Sequence, residues 1–392
     1  MDIDFSKYSS DCVDFLQKLI KIPSVNGQDN EKAIVSEIAN EAKKLGLPHQ
    51  LIIKDAFHPN VFIGDDFKSN QELLLVAHTD TVGIGDKTKW EKDPFSGIIQ
   101  NNKIFGRGAI DGKGGIALNL YVYKILSDLG KPHLVKVVAV ADEEIAGDSD
   151  FGLRYMLSEG LNAKAAIYTY GGNSDHTSIN IGHRGVVRLW ITCHGEGAHS
   201  GSKEWQDRLK GDNAIEGILD FLNKLKELKF VETNKFFPGY KTIITPTLIE
   251  GGSGESLVPD TAKIFLDIRL LPDTNPKDLI KKITKITQDL TSTKRSYEIS
   301  IKNNIPAALS DPGNEFIKTV CKLNQEIFGV DPVIKGSGPI NESYMLIERG
   351  IPTIAGFGPS GDNFHAPNEY ALIDSIETSL KFLTKVVLNL QP

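Results

Sequence analysis

Three apolar runs that do not alternate, LLLVAH (73–78), VKVVAVAD (135–142) and AAIYTY (165–170), constrain this chain more than any other feature. A strand with one wet face alternates polar and apolar residues. A run without alternation must be covered on both faces. Helical spacing near 114–129 and 151–159 separates the runs, and strand–helix–strand order implies a mainly parallel sheet. Upstream, Val13, Leu16, Leu19 and Ile20 mark a helix over 9–21 behind capping serines. A second helix is expected from about 30 to 45, stopping at Gly46.

The pattern changes after GHRG (182–185). VVRLWITCHG (186–195) alternates, so one of its faces is solvated. A helix near 213–228, strands near 242–250 and 261–270, a helix near 276–290 and a strand near 297–302 follow. That β-α-β-β-α-β order is a ferredoxin-like unit. The α/β pattern then returns, with helices near 312–328 and 341–349, a strand at 351–357 and a closing helix at 372–388. The expected organisation is one α/β domain, 1–184 and 309–392, interrupted by an α+β domain at 185–308. A length of 392 residues agrees with more than one domain.

Composition narrows the class. The chain is 40% hydrophobic and 24% charged, with a formal net charge of −7 and no basic tract, so nucleic acid is not an expected partner. No apolar segment approaches the ~20 residues that span a bilayer. The acidic, polar start MDIDFSKYSSD argues against a secretory signal. Three widely spaced cysteines, Cys12, Cys193 and Cys321, form no CxxC pair. Reduced thiols in a cytoplasmic protein are the expectation.

Ligands bind such sheets at the carboxyl ends of the strands. LLLVAHTDTVG places His78 and Asp80 there, GRGAIDGKGG places Asp111 before a helix, VVAVADEE places Glu143 and Glu144, and GFGPSGDNFHAPNEY places His365. Each alone is weak, since a lone strand-end histidine is usually a satisfied surface or core residue. GRGAIDGKGG lacks the order of a phosphate-binding loop. Together, the histidines and carboxylates make a mixed shell suited to zinc and its neighbours rather than to Mg²⁺ or Ca²⁺. Asp80 is placed to accept the other imidazole N–H of His78 and fix its tautomer. A metal held by Glu144 offsets that charge, which leaves Glu143 to act as general base on the attacking water.

With AHTDTV, WEKDPFSG, GRGAIDGKGG, DEE, GAHSG, VPD…DIR and HAPNE in this order, the chain resembles the M20 family of zinc peptidases and deacylases over essentially its full length. That group includes acetylornithine deacetylase, succinyl-diaminopimelate desuccinylase, carboxypeptidase G2 and aminoacylase. The resemblance implies a zinc-hydrolase domain with an inserted lid and dimerisation domain. It makes Asp111 the bridge between two metals, His78 a ligand of one, and Glu144 and His365 ligands of the other. Glu143 becomes the general base and Asp80 the orienting acid. His199, from a partner subunit, stabilises the oxyanion, and Arg269 clamps the substrate's carboxylate. Asn213 lies near substrate, and Gly336 opens a glycine-rich substrate loop, GSGPINE. One or two zinc ions per chain are implied, with cobalt or manganese as alternatives, and a homodimer through the lid.

One position departs from the family. The acid expected as the last ligand of the His78 metal falls on Tyr170, which is neutral at pH 7. Three readings stay open: weak ligation by Tyr170, a ligand supplied by Asp175 or His176, or loss of the second metal. The expectation leans to an impaired second site beside an intact first. Gly112 stands where methionine is common, at a family peptide that is often cis. The implied activity is hydrolysis of the amide C–N bond of an N-acyl amino acid. Rival readings are a dipeptidase or carboxypeptidase of the same family, and a non-catalytic binding homologue with a degraded metal site.

Overall fold

Helix α1 (Phe5–Ile20) begins earlier than its serines suggest, because the Asp4 carboxylate caps it by accepting the Ser6 amide at 3.1 Å. Ser9 and Ser10 lie inside the helix, whose buried face carries Cys12, Phe15, Leu16 and Leu19. Helix α2 (Lys32–Lys44) closes on Gly46 at φ 70°. The computed structural model describes residues 3–145, 149–171 and 176–390. The chain continues through β1 (His49–Ile52), β2 (Asn60–Ile63), β3 (Leu73–His78), α3 (Lys113–Asp128), β4 (Val135–Val140), α4 (Leu153–Ser158), β5 (Ala165–Tyr168) and β6 (Ser178–His183). Next come β7 (Gly185–His194), α5 (Ala214–Leu225), β8 (Ile243–Gly251), β9 (Thr261–Leu270), α6 (Pro276–Leu290) and β10 (Ser296–Ile305). The last part holds α7 (Glu315–Phe328), β11 (Val333–Ser337), α8 (Ser343–Ile347), β12 (Thr353–Ile354) and α9 (Ile373–Asn389).

Two compact units divide the chain: Met1–His183 with Leu309–Pro392, and Arg184–Ala308. The first is built on a six-stranded sheet of order β1-β2-β4-β3-β5-β12. Its β4, β3, β5 and β12 are mutually parallel, and β1 and β2 add an antiparallel edge. Every residue of β3 and β4 is buried, as their unbroken apolar runs require. Helix α3 packs on β3 and against α1 and α9, and is buried along almost its whole length. AAIYTY leaves the sheet after Tyr168, two residues earlier than its composition suggests. The expected strand at 351–357 shortens to β12, because the chain beyond it turns to β6, where Gly356 bridges Asn180 and the Ala355 amide donates to the Asn180 carbonyl at 2.8 Å.

The second unit is a four-stranded antiparallel sheet of order β8-β9-β7-β10. Alternate residues of β7 and β9 (Val187, Leu189 and Ile191; Ile264, Leu266 and Ile268) pack with α5 and α6 in one core. Residues of opposite parity, Arg188, Asp267 and Arg269 among them, lie on the uncovered face of that sheet. The three cysteines are free thiols. Among the described residues no helix is long and apolar enough to cross a membrane.

Candidate metal centre

Parallel strands deliver this site. β4, β3 and β5 run side by side in one direction, so their carboxyl ends share a rim. β3 ends on His78. Past β4 the chain turns through Asp142, at φ 60°, into Glu143 and Glu144. Tyr170 follows β5, and the segment after β12 leads to His365 at φ 57°. Left-handed conformations are unfavourable for such residues and persist where the surroundings over-determine them. Asp111 arrives on the loop before α3, and its peptide to Gly112 is cis. Glycine is required here for space, since a Cβ at Gly112 would lie 2.5 Å from the His78 ring.

The course of the acidic loop is set by Asp80. Its Oδ1 accepts the Glu143 amide at 3.0 Å and its Oδ2 accepts the Glu144 amide at 2.8 Å. Asn26 Nδ2 donates both to Asp80 Oδ2 (2.9 Å) and to Asp142 Oδ1 (2.6 Å). The His78 Nδ1 lies 3.0 Å from the Asp80 main-chain oxygen and 3.4 Å from Asp80 Oδ1. Orientation of the ring is therefore shared with a carbonyl, while the Asp80 carboxylate also holds the two glutamates in place.

Asp111 is the hub. Its Oδ1 lies 3.0 Å from His78 Nε2 and its Oδ2 lies 3.1 Å from His365 Nε2. His365 Nε2 is also 3.5 Å from Glu144 Oε1. Burial opposes ionisation of Asp111, but the His365 and His78 contacts outweigh it and hold the carboxyl well below its usual range. The same contacts with Asp111 and Glu144 push His365 up to about 10. Burial raises Glu144, and burial together with Glu144, Glu342 and Asp80 raises Glu143 well above an ordinary glutamate despite the pull of His78.

Two groups of side chains bring ligand atoms within 4.8 Å of one another: Asp111, Glu144 and His365, and His78, Glu143 and Glu144. Glu144 Oε1 is buried and lacks a hydrogen-bond partner among the described residues, which is the state of a carboxylate oxygen directed at a cation. The donor set of carboxylates and imidazoles fits zinc or a neighbouring transition ion. These residues line a cavity of about 520 Å³. Its remaining wall is neutral, with Tyr168, Tyr170, Asn180, Ser337 and Asn341 beside the apolar Pro339, Ile340 and Phe364. No lysine or arginine lines it among the described residues.

Tyr170 enters this cavity as a phenol pushed up to about 12 by burial and by the charge of Asp111. The alternative ligand His176 points elsewhere: its ring stacks on Phe328 of α7 at 3.6 Å and faces Phe357 at 6.1 Å. Asp175 lies outside the described residues. Gly336 is buried in β11 and does not line the cavity; its loop does so through Ser337 and residues 339–341.

The remaining candidates sit in the second unit. Asn213 is the N-cap of α5, its Oδ1 accepting the Ile215 and Glu216 amides at 2.9 and 3.4 Å. That cap explains the residue without a substrate. His199 is exposed and accepts the Gly201 amide on Nδ1 at 3.0 Å, which leaves Nε2 to carry the ring proton. Arg269 is half-buried and held side-on by Asp267, at 2.7 Å from Nε and 3.2 Å from Nη2. Asp267, two residues away on the same strand face, escapes the reading of LDIR, which singles out Arg269 alone.

Two supporting carboxylates escape a reading of the motifs. Glu369, at the end of HAPNE, accepts the amides of Gly108, Ile110 and Asp111 at 3.0–3.3 Å and the Arg107 guanidinium at 2.6 Å. It shapes the loop that carries Asp111. Glu342, at the end of GSGPINE, is wholly buried and takes a hydrogen bond from Tyr168 at 3.2 Å.

The profile of peptidase family M20/M25/M40 matches residues 74–389. A succinyl-diaminopimelate desuccinylase of Sulfurovum is 25% identical over 376 residues, covering 93% of this chain and 95% of that protein. An N-formyl-4-amino-5-aminomethyl-2-methylpyrimidine deformylase of Bacillus subtilis is 25% identical over 395 residues, covering 92% and 88%. Among solved structures, an M20 family metallo-carboxypeptidase of Sulfolobus solfataricus superposes with a TM-score of 0.77 at 20% identity, covering 99% of each chain, which is a likeness of fold.

Proposed function

Because this chain belongs to peptidase family M20/M25/M40 and is a metallohydrolase, we propose that it hydrolyses the amide bond of an N-acyl amino acid. One observation carries this reading: the buried Glu143 lines the same cavity as Asp111, Glu144 and His365. A base is thus set beside a cation-binding cluster, the requirement for cutting an amide with water.

Asp111, Glu144 and His365 would hold a zinc-class ion. When bound, such an ion supplies Lewis-acid polarisation of the carbonyl and acidifies water. Glu143 takes the proton of the attacking water and passes it to the leaving amine. Asp80 keeps Glu143 and Glu144 at fixed spacing through their amides. The neutral wall of the cavity favours an uncharged acyl group there, such as formyl or acetyl, over one ending in a carboxylate. Arg269, pre-oriented by Asp267, is assigned to the free carboxylate of the substrate. His199 is assigned to the oxyanion through Nε2.

Amine release from formyl, acetyl and succinyl amino acids and from dipeptides tests the reading, on metal-stripped protein with Zn²⁺ or Co²⁺ returned. Turnover of the short neutral acyl compounds on adding metal is expected. Preference for dipeptides would make the chain a peptidase of the same chemistry, and no turnover on any compound would overturn the hydrolase reading.

A further inference from the structure

The family position expected to hold an acid is filled by Tyr170, and the surroundings are built around that phenol. A Cβ on Gly356 would lie 2.8 Å from Tyr170 Cε1 and 2.9 Å from its Cζ and hydroxyl oxygen. Backbone therefore abuts the ring, and glycine is needed at 356 to make room for it. The Tyr168 ring meets Tyr170 edge-on at 6.3 Å. Ser337 and Asn341 line the same cavity wall as the phenol. Asn341 is itself fixed, donating from Nδ2 to the Ala355 carbonyl at 2.7 Å and accepting the Ser343 amide on Oδ1 at 3.0 Å. A phenol has one hydrogen and two lone pairs. With a reference pKa near 10 it keeps that hydrogen at neutral pH and meets the cavity as a donor rather than as an anionic ligand. The recipient must be in the cavity that Tyr170 lines with Asp111, Glu143 and both histidines.

We propose that Tyr170 is a fixed hydrogen-bond donor to the scissile carbonyl oxygen, and that the centre holds one tightly bound ion, on Asp111, Glu144 and His365, instead of two. The inference rests on the hydrolase reading and refines it. Among the described residues an ion on the His78 side finds only His78 and Asp111 besides the glutamates, and tight zinc sites use three or more protein ligands. The other available group, His78 with Glu143 and Glu144, would consume the base. His78 instead keeps its contact with Asp111 and orients that carboxylate. The phenol donor then does at the oxyanion what a second ion would do, as a preorganised dipole.

The test is the number of equivalents bound. Metal-stripped wild type, Tyr170→Phe and Tyr170→Asp are titrated with Zn²⁺ by calorimetry, and the metal retained after gel filtration is measured by mass spectrometry. One tight equivalent is expected in wild type and in Tyr170→Phe, and two in Tyr170→Asp. Tyr170→Phe should also lose roughly 10²–10³-fold in kcat with KM little changed, as on removal of one oxyanion donor. Two tight equivalents in wild type, loss of metal in Tyr170→Phe, or an unchanged kcat in Tyr170→Phe would overturn the proposal while leaving the hydrolase reading intact. A folded Tyr170→Asp protein that still takes one equivalent would overturn the ligand-position argument. Wild type that binds no ion would sink both readings.

Discussion

At Glu143 the chain keeps a carboxylate almost out of water beside three other acids. Replacing it with glutamine preserves shape and removes the base. Glu143→Gln should lower kcat by about 10²–10⁴-fold with bound metal unchanged, read by steady-state kinetics and metal analysis on one preparation. Metal lost together with activity would make Glu143 a ligand. Glu342 offers a second single-residue test. Burial and the Asp80 charge push its carboxyl up to about 8, against the Tyr168 hydrogen bond and the pull of His78 and Arg154. Unfolded, the group releases its proton near pH 4. Between those values the folded state binds the extra proton, so this group makes stability fall as pH rises, by at most about 1.4 kcal/mol per pH unit. Glu342→Gln should flatten the dependence of Tm between pH 5 and 8 and gain most at pH 8. Calorimetry across that range checks it, and an unchanged slope would assign the dependence to another group.

Elements meet this site through loops that are tied from a distance in sequence. The Asp111 loop is held by Glu369, which lies beyond His365, and by the pair of Glu369 with Arg107, both wholly buried. Glu369→Gln keeps an acceptor for the amides but leaves the Arg107 charge buried without its partner, which costs about 3–5 kcal/mol. A lower urea midpoint at unchanged m-value is expected, with weaker metal binding because Asp111 loses its support. An unshifted midpoint would mean that Arg107 is compensated by its contacts to the Gly83 carbonyl and the Trp90 ring.

For the whole molecule, the second unit carries unsatisfied surface. Strand β8 is an edge of its sheet and is exposed along almost its whole length, with Ile243, Leu248 and Ile249 each more than half exposed. Leu219 of α5 is exposed as well. An apolar edge strand pairs with another edge when one is available. We therefore expect a homodimer through β8 of two chains, seen by light scattering at micromolar concentration. Ile249→Lys should yield a folded monomer. A wild-type monomer at that concentration would remove the dimer from the functional scheme.

The parallel sheet, the antiparallel α+β insertion and the cluster of His78, Asp111, Glu143, Glu144 and His365 were legible from the residues alone. Periodicity is a local property, and side chains placed at strand ends reach one rim whatever the loops do. The antiparallel edge of β1 and β2 was not legible, because four-residue strands carry too little pattern to tell from a loop. Neither were the grip of Glu369 on the Asp111 loop or the stacking that takes His176 away from the centre. Each depends on a partner chosen by packing and distant in sequence. Tyr170 shows the division most plainly. Sequence identified it as the residue out of place and left three readings open. Only the tertiary structure, by setting Gly356 and the edge of Tyr168 against its ring, decided that the phenol is held in place. What a hydroxyl can do depends on where its ring is held and on what it faces, and both are fixed by neighbours the chain brings together only on folding.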